Sequence, residues 1–326
     1  MLHQTTMTEF VLLGFSEVRE LQILYFVVFL FVYLAALLGN FLLIVTLTQD
    51  AHLHSPMYFF LANLSLSDVC LISVTIPKSM ATSLTSNKLI SFSGCVCQVF
   101  LVILFAGAEL FLLTAMAYDC YVAICHPLQY TLIMNWSVCL RMAAVSWISS
   151  VVHAVVETAN TFRLNFCNSN VIKQFFCDIP QLLILSCSDT LANKKVIFAS
   201  VVTVGLFCFL CILVSYGYIF FTVVKIQSAQ GKHKAFSTCT PHLTVFCLFL
   251  FTSAFSNMRP SSLSSPSTDL LAAVLYTVLP PLMNPIIYSL RNKDIQVAVC
   301  KMAKFWISQS RFIKPFSRDP DKKCTK

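Results

Sequence analysis

The chain has 326 residues, 57% of them hydrophobic and 11% charged, with a formal net charge of +8. Soluble domains carry about 25% charged residues, so this chain has too little polar surface to cover its apolar side chains in water, which excludes a soluble globular protein. Much of the positive excess lies beyond Arg291; a basic segment beside a membrane helix faces anionic lipid, and nothing here interleaves basic residues with a soluble nucleic-acid-binding domain.

Residues 1–20 have neither the basic start nor the small-residue cleavage site of a secretory signal, so the first hydrophobic helix is expected to be its own insertion signal. About 20 apolar residues cross a bilayer as a helix. Residues 21–49 are the first such segment, and 57–76 the second, interrupted by Asp68. Residues 89–116, interrupted by Glu109, are the third. Residues 142–156 are the core of the fourth and the shortest, followed by 196–224, 235–258 and 270–290. The 29 Phe and only 7 Gly suit lipid-facing helices better than a β-barrel. The expectation is an all-α membrane protein: an outer N-terminus (1–20), one seven-transmembrane bundle (21–290) and a basic tail (291–326).

Seven spans place the termini on opposite sides. Fourteen Lys and Arg, including Arg141, Lys225, Lys232, Lys234 and ten from Arg291 onward, share a side with the C-terminus, against eight on the other. The positive-inside rule makes the C-terminus cytoplasmic and the N-terminus external. Cys167, Cys177 and Cys187 then fall in a polar outer loop of about thirty residues, long enough to cap a pocket, where disulfides persist. Either Cys95 or Cys97 is placed to join them. No internal repeat or pair of broken helices points to a transporter.

Asp68 and Glu109 lie deep in apolar helices. An intramembrane carboxyl normally faces the bundle interior and has a partner. Two readings stay open: a polar network that differs between two helix arrangements, with or without an ion, and a static hydrogen bond to Asn40 or Asn284. Asn284-Pro285-Ile286-Ile287-Tyr288 ends the seventh span; its Pro removes a backbone donor, and Asn and Tyr can satisfy or exchange the freed partners. No HExxH, GxSxG or Gly-rich phosphate loop occurs, so neither an enzyme nor a cofactor is expected. His52 and His54, two apart in a short loop, make a poor metal site. Cys300 and Cys324 are palmitoylation candidates or plain thiols.

Residues 53–68 read LHSPMYFFLANLSLSD, 116–130 MAYDCYVAICHPLQY, 234–243 KAFSTCTPHL and 281–293 PLMNPIIYSLRNK, with Ser215-Tyr216 in the fifth span. In this order and spacing they closely resemble the odorant-receptor family of rhodopsin-like G-protein-coupled receptors, in its tetrapod-type branch, from about Phe10 to Asp294. The resemblance implies a Cys95–Cys177 disulfide and a second, Cys167–Cys187, leaving Cys97 buried and free. It implies switch or G-protein roles for Asp68, Glu109, Asp119, Cys120, Tyr216, His242, Asn284, Pro285 and Tyr288, and an amphipathic eighth helix after Arg291. It also implies a small volatile ligand, a stimulatory heterotrimeric G protein and membrane lipid as partners, with no nucleic acid.

The family places its pocket in the outer half of the bundle. Helical spacing then selects Val102, Ile103, Ala106 and Gly107 on the third span, Ser200 and Val204 on the fifth, Leu250, Ser253 and Asn257 on the sixth, and Val274 and Thr277 on the seventh. These positions are apolar or hydroxylic and uncharged, which suits a small neutral molecule. Activation would be a population shift in which the sixth span swings out and opens a cytoplasmic cleft.

The departures from the family pattern matter as much. Cys120 stands where the family has Arg, Pro241 where it has Ser, and Leu250-Phe251 where it has Tyr-Gly. A Pro about one turn into the sixth helix predicts a kink there or a helix end near Pro241. Without the Arg, Asp119 is expected to be solvated at the cytoplasmic edge. The alternative reading is thus a receptor-shaped protein with weak or no coupling; a transporter or channel has less support. Residues 1–16 contain no Asn, and the Asn-x-Ser sites at Asn63 and Asn135 fall in a span and an inner loop, so no N-glycan is expected.

Overall fold

The computed structural model describes residues 7–14, 18–50, 53–85, 87–167, 169–257 and 265–311. Among them seven helices are long and apolar enough to cross a membrane: Arg19–Gln49, Pro56–Thr85, Phe92–Cys125, Trp136–Phe162, Leu191–Lys225, Ala229–Ser256 and Ser267–Arg291, with mean hydropathies from 1.4 to 2.8. They are called the first to seventh spans. Large apolar side chains such as Phe31, Leu38 and Phe198 point outward and are about 70% exposed, while Asn40, Asp68 and Ser67 are fully buried. A bundle with polar groups inside and hydrocarbon outside is one whose solvent is lipid. The third span is central, packing on the second, fourth, fifth and sixth.

The fourth span shows why hydropathy alone shortened it. It runs from Trp136 to Phe162 and begins at Asn135, whose side chain caps it by accepting from Val138 N. Ser146, Ser150, Glu157, Thr158 and Thr161 lower its hydropathy, yet all are buried on its inner face. The Thr161 hydroxyl donates to the backbone carbonyl Glu157 O at 2.8 Å.

The third span is shorter at its start than the apolar run suggested. Leu89–Ser91 is a strand, β2, and Ser91 caps the helix that follows by accepting from Gly94 N. Strand β1 (Glu9–Leu12) pairs antiparallel with β2, Phe10 opposite Ile90, and parallel with β3 (Val171–Ile172), Val11 opposite Val171. This sheet straps the N-terminal segment over one end of the bundle, and Phe10, Leu12 and Ile172 bury there with Cys95, Phe166 and Leu182.

The sixth span is one helix, Ala229–Asn257, that continues through Pro241. The expected helix end near Pro241 does not occur. Hydroxyls around the proline donate back to backbone carbonyls, Ser237 and Thr238 to Lys234 O and Thr240 to Phe236 O. His242 is anchored on the third span, and neighbouring helices of this kind offset a lost backbone bond.

The seventh span is built from Pro266–Thr277 and Leu279–Arg291. Ser265 and Thr268 close a capping box at its start. At its end the Asn292 side chain accepts from the backbone of Asp294 and Ile295 and starts the helix Lys293–Arg311. Ile295, Ala298 and Met302 bury one face of that helix while Val297 is exposed. Lys301 meets Asp50 at 3.6 Å, a partly solvated surface pair worth at most about 1 kcal/mol. Residues 312–326, with Cys324 and half of the basic residues of the tail, lie outside the described residues, as does His52.

Candidate functional site

One end of the bundle carries a covalent lid. Cys95 is bonded to Cys177 and Cys167 to Cys187, with Cα separations of 5.6 and 5.7 Å. Gln98 sets the first junction: its amide donates to Val74 O at 2.9 Å and accepts from Cys177 N at 2.9 Å. The segment after it turns inward. Phe175 and Phe176 are buried among Phe29, Ile72, Val102 and Val278. Gln174 donates to Asp269 O at 2.9 Å, and the Tyr276 hydroxyl donates to Asp178 Oδ1 at 3.4 Å. Burial pushes the Asp178 carboxyl up to about 6, with the Tyr276 bond acting in the opposite sense. Cys97 is free and exposed rather than buried, because it lies on the outward face of the third span.

The ligand positions expected from sequence divide into groups. Val102 is buried in an apolar cluster under the lid, and Val274 packs against it. Ile103 packs against the separate cluster around Phe166 and Ile172. Gly107 serves helix packing: a Cβ there would lie 2.6 Å from Ser150 Oγ. Ser150 uses the same close approach to donate to Leu104 O at 2.5 Å. Ser200 bonds to His153 Nδ1 at 3.1 Å, joining the fifth span to the fourth. Ala106, Val204, Ser253 and Val274 are half-buried, and Leu250 is 36% exposed. Thr277 is fully buried and donates to Ala273 O at 2.7 Å. The side chain of Asn257 lies outside the described residues. A cleft of about 680 Å³ lies elsewhere, between the third, fourth and fifth spans in the half away from the lid, lined by Thr114, Tyr118, Arg141, Phe207 and Ser215 among others.

At the bundle's middle sits a buried polar network. Asn284 donates to both carboxyl oxygens of Asp68, at 3.1 and 3.0 Å. Asn40 is instead turned to Pro281 O at 2.8 Å and Ala36 O at 3.0 Å. Of the two static partners proposed for Asp68, the bond is therefore to Asn284. The Glu109 carboxyl meets that of Asp68, a contact in which one of the two must supply the proton. Asn40 Oδ1, Asn284 Oδ1, Glu109 Oε1 and the Tyr288 hydroxyl have no partner among the described residues. Pro285 presses on the first span, where a Cβ at Gly39 would lie 3.0 Å from its ring, so glycine permits the approach.

Beyond the network, Tyr216 OH bonds to His242 Nδ1 at 2.5 Å, and His242 Nε2 bonds to Leu113 O at 2.8 Å. A carbonyl accepts only, so Nε2 carries the hydrogen and Nδ1 accepts from the tyrosine. One imidazole thus ties the third, fifth and sixth spans. At the far end Asp119 is 2% exposed and accepts from Tyr130 OH at 2.8 Å. It is not solvated: a tyrosine of the loop after the third span supplies a partner for the carboxyl. Burial, and then the neighbouring Asp119, hold the Tyr130 hydroxyl above its ordinary pKa. Cys120 is also buried, among Ile219, Val223, Ala235 and Cys239.

Sequence reasoning missed Gln98, Glu157, Tyr130 and Asp178. Glu157 lies just past the apolar run assigned to the fourth span, buried beside Ser200. An acidic residue there was a signal, masked by the early end given to the helix. Tyr130 closes the 116–130 block, which does not say what it contacts, and Gln98 and Asp178 carry no signal beyond residue type.

The family model described as olfactory receptor matches residues 29–304. The chain is 51% identical to olfactory receptor 14A16 of Homo sapiens over 304 residues, covering 93% of this chain and 98% of that protein. It is 49% identical to olfactory receptor 14A2 of Homo sapiens over 315 residues, 96% of this chain and 99% of that one. Squid rhodopsin shares the fold, with a TM-score of 0.64 at 14% identity over 93% of this chain and 90% of its own. The protein is a multi-pass membrane receptor, not an enzyme, and it belongs to the olfactory receptor family of rhodopsin-like G-protein-coupled receptors.

Proposed function

We propose that this odorant receptor holds a small, mostly apolar molecule beneath the disulfide-tethered lid and activates a stimulatory heterotrimeric G protein at the opposite end. The observation that carries this reading is the lid itself. Residues from Gln174 to Asp178 are fixed to the third span by Cys95 and Gln98 and to the seventh by Asp269 and Tyr276. They close over an apolar cluster that includes Val102 and Val274. A neutral ligand inserted there would be held by burial and one or two hydrogen bonds. The lid faces outside, the Tyr130 end faces the cytoplasm, and the helix Lys293–Arg311 rests on lipid.

Transmission would run through the middle of the bundle. The unpartnered polar atoms around Asp68 and the single imidazole joining three spans are groups that a second helix arrangement can re-pair. A ligand shifts such an equilibrium only by its differential affinity for the two arrangements.

A second reading rests on Cys120. In the family pattern an arginine there reaches the G protein with a fork of donors, whereas Cys offers one weak donor and no charge. This chain would then couple weakly even when its ligand is bound. A cyclic AMP assay over a panel of volatile ligands, with surface expression measured in parallel, tests both readings. Responses to at least one ligand class are expected; silence to a broad panel at confirmed surface expression would overturn the first reading and leave the second.

A further inference from the structure

The third and sixth spans meet at the far end through two free thiols on different helices. Cys120 and Cys239 are 2% and 7% exposed, both in the reduced form. They belong to one apolar cluster with Ile219, Val223 and Ala235, and their side chains are in contact. A cysteine at either position alone would be a small buried hydrophobe. Cys120 stands where the family pattern has arginine, so the departure that removes a charge also creates a dithiol.

We propose that Cys120 and Cys239 form a reversible disulfide that staples the third span to the sixth when the cell meets peroxide. The step needs one equivalent of a hydroperoxide. One thiol gives up its proton and its sulfur attacks an oxygen of hydrogen peroxide; the O–O bond breaks, a sulfenic acid forms, and the leaving hydroxide takes up that proton and departs as water. The second thiol then attacks that sulfur, the S–O bond breaks and a second water leaves. Two thiols and one peroxide become one disulfide and two waters. Hydrogen peroxide is small and uncharged, so it reaches confined thiols more readily than larger or charged oxidants do. In the resting cytosol the thiol pool holds the pair reduced, which is where redox-sensing disulfides are found. The dithiol form leaves the two spans joined by contacts that can open; the disulfide form does not.

The bridge itself needs only the geometry. Its effect on signalling rests on the proposal that the sixth span moves away from the third at this end. The experiment therefore has two readouts on the full-length receptor in cell membranes. Membranes are treated with hydrogen peroxide, free thiols are blocked with N-ethylmaleimide, and non-reducing peptide mapping follows. Retention of the Cys95–Cys177 peptide pair verifies the fold in every sample. The expected result is a linked peptide pair containing Cys120 and Cys239, absent from Cys239→Ser and Cys120→Ser and lost on reduction. Alkylation of both thiols should fall several-fold. Both thiols fully alkylated after peroxide, or one over-oxidised without a cross-link, would overturn the bridge whatever the signalling result. In the second readout, basal or ligand-evoked cyclic AMP should fall on peroxide treatment of the native chain and not of Cys239→Ser. A cross-link with an unchanged response would establish the bridge and overturn its regulatory role and the movement assigned to the sixth span.

Discussion

The two ends of this bundle are built on different principles. At the lid end, two disulfides, a three-stranded sheet and a cluster of buried aromatics fix the segments joining the spans. At the other end the third span is held to its surroundings by separable contacts: Asp119 to Tyr130, Leu113 O to His242, and the meeting of Cys120 with Cys239. Covalent closure makes a lid whose shape survives ligand exchange. Single hydrogen bonds between spans can be exchanged for others at little net cost, since a typical one contributes only about 0.5–1.5 kcal/mol. The contrast is what the proposed reception at the lid end and rearrangement at the other would require.

The contrast breaks most severely if the lid is untied. Cys95→Ser should destabilise the receptor by about 2–4 kcal/mol, the usual effect of losing a native disulfide. It should also abolish ligand response and sharply reduce surface delivery. Thermal unfolding of the purified protein checks the first effect, and surface labelling the second. A variant that keeps its unfolding temperature would show that β1, β2 and β3 and the aromatic cluster alone hold the lid.

The middle of the molecule comes next in size. Asn284→Leu removes both donors to Asp68. Hydrogen bonds to a charged group contribute about 1.5–3 kcal/mol, and a buried acceptor left unpaired costs its desolvation. Stability should fall by about that amount. The same variant with Asp68→Asn should recover part of the loss, because the neutral side chain no longer demands two donors. No recovery would mean that Asp68 draws its main support from Glu109.

The smallest effect is at the rim of the lid. The Asp178 carboxyl is held above its ordinary range, at about 6, chiefly by burial. The folded state therefore binds this proton more tightly than the unfolded one. Its contribution to stability is fully present below the usual carboxylate range and is lost as the pH rises through about 6. Thermal stability should drop slightly across that window, and Asp178→Asn should flatten the profile. A native profile that rises with pH there would contradict the lid geometry.

Much of this was legible in the sequence because the bilayer is a strict solvent. Spans of about 20 apolar residues appear wherever charge is absent, and Asp68 and Glu109 stood out for the same reason. Legibility failed where polarity faces inward. The fourth span was shortened because Glu157 and Thr161 sit on its buried face, and hydropathy cannot distinguish a buried Thr from an exposed one. The strand Leu89–Ser91 runs straight into the apolar third span, so hydropathy alone merges the two. The candidate pocket was read from spacing along each helix, which does not say which neighbour a face meets; Gly107 and Ser200 turn out to meet the fourth span. Asp119 was expected to lie in water because its family partner is missing, and no pattern in the sequence joins it to Tyr130.

The central claim is that the end lacking covalent ties is where coupling occurs, and that Cys120 sits at its centre. The most direct measurement is ligand-evoked cyclic AMP from the native chain and from Cys120→Arg at equal surface expression. Arginine would restore a long, charged, five-donor side chain beside Asp119, where it competes with Tyr130 for the carboxyl at rest and reaches the G protein when the cleft opens. The maximal response of Cys120→Arg should exceed that of the native chain. Equal maxima would contradict the claim, placing coupling on other contacts of the fifth and sixth spans and leaving position 120 nearly neutral.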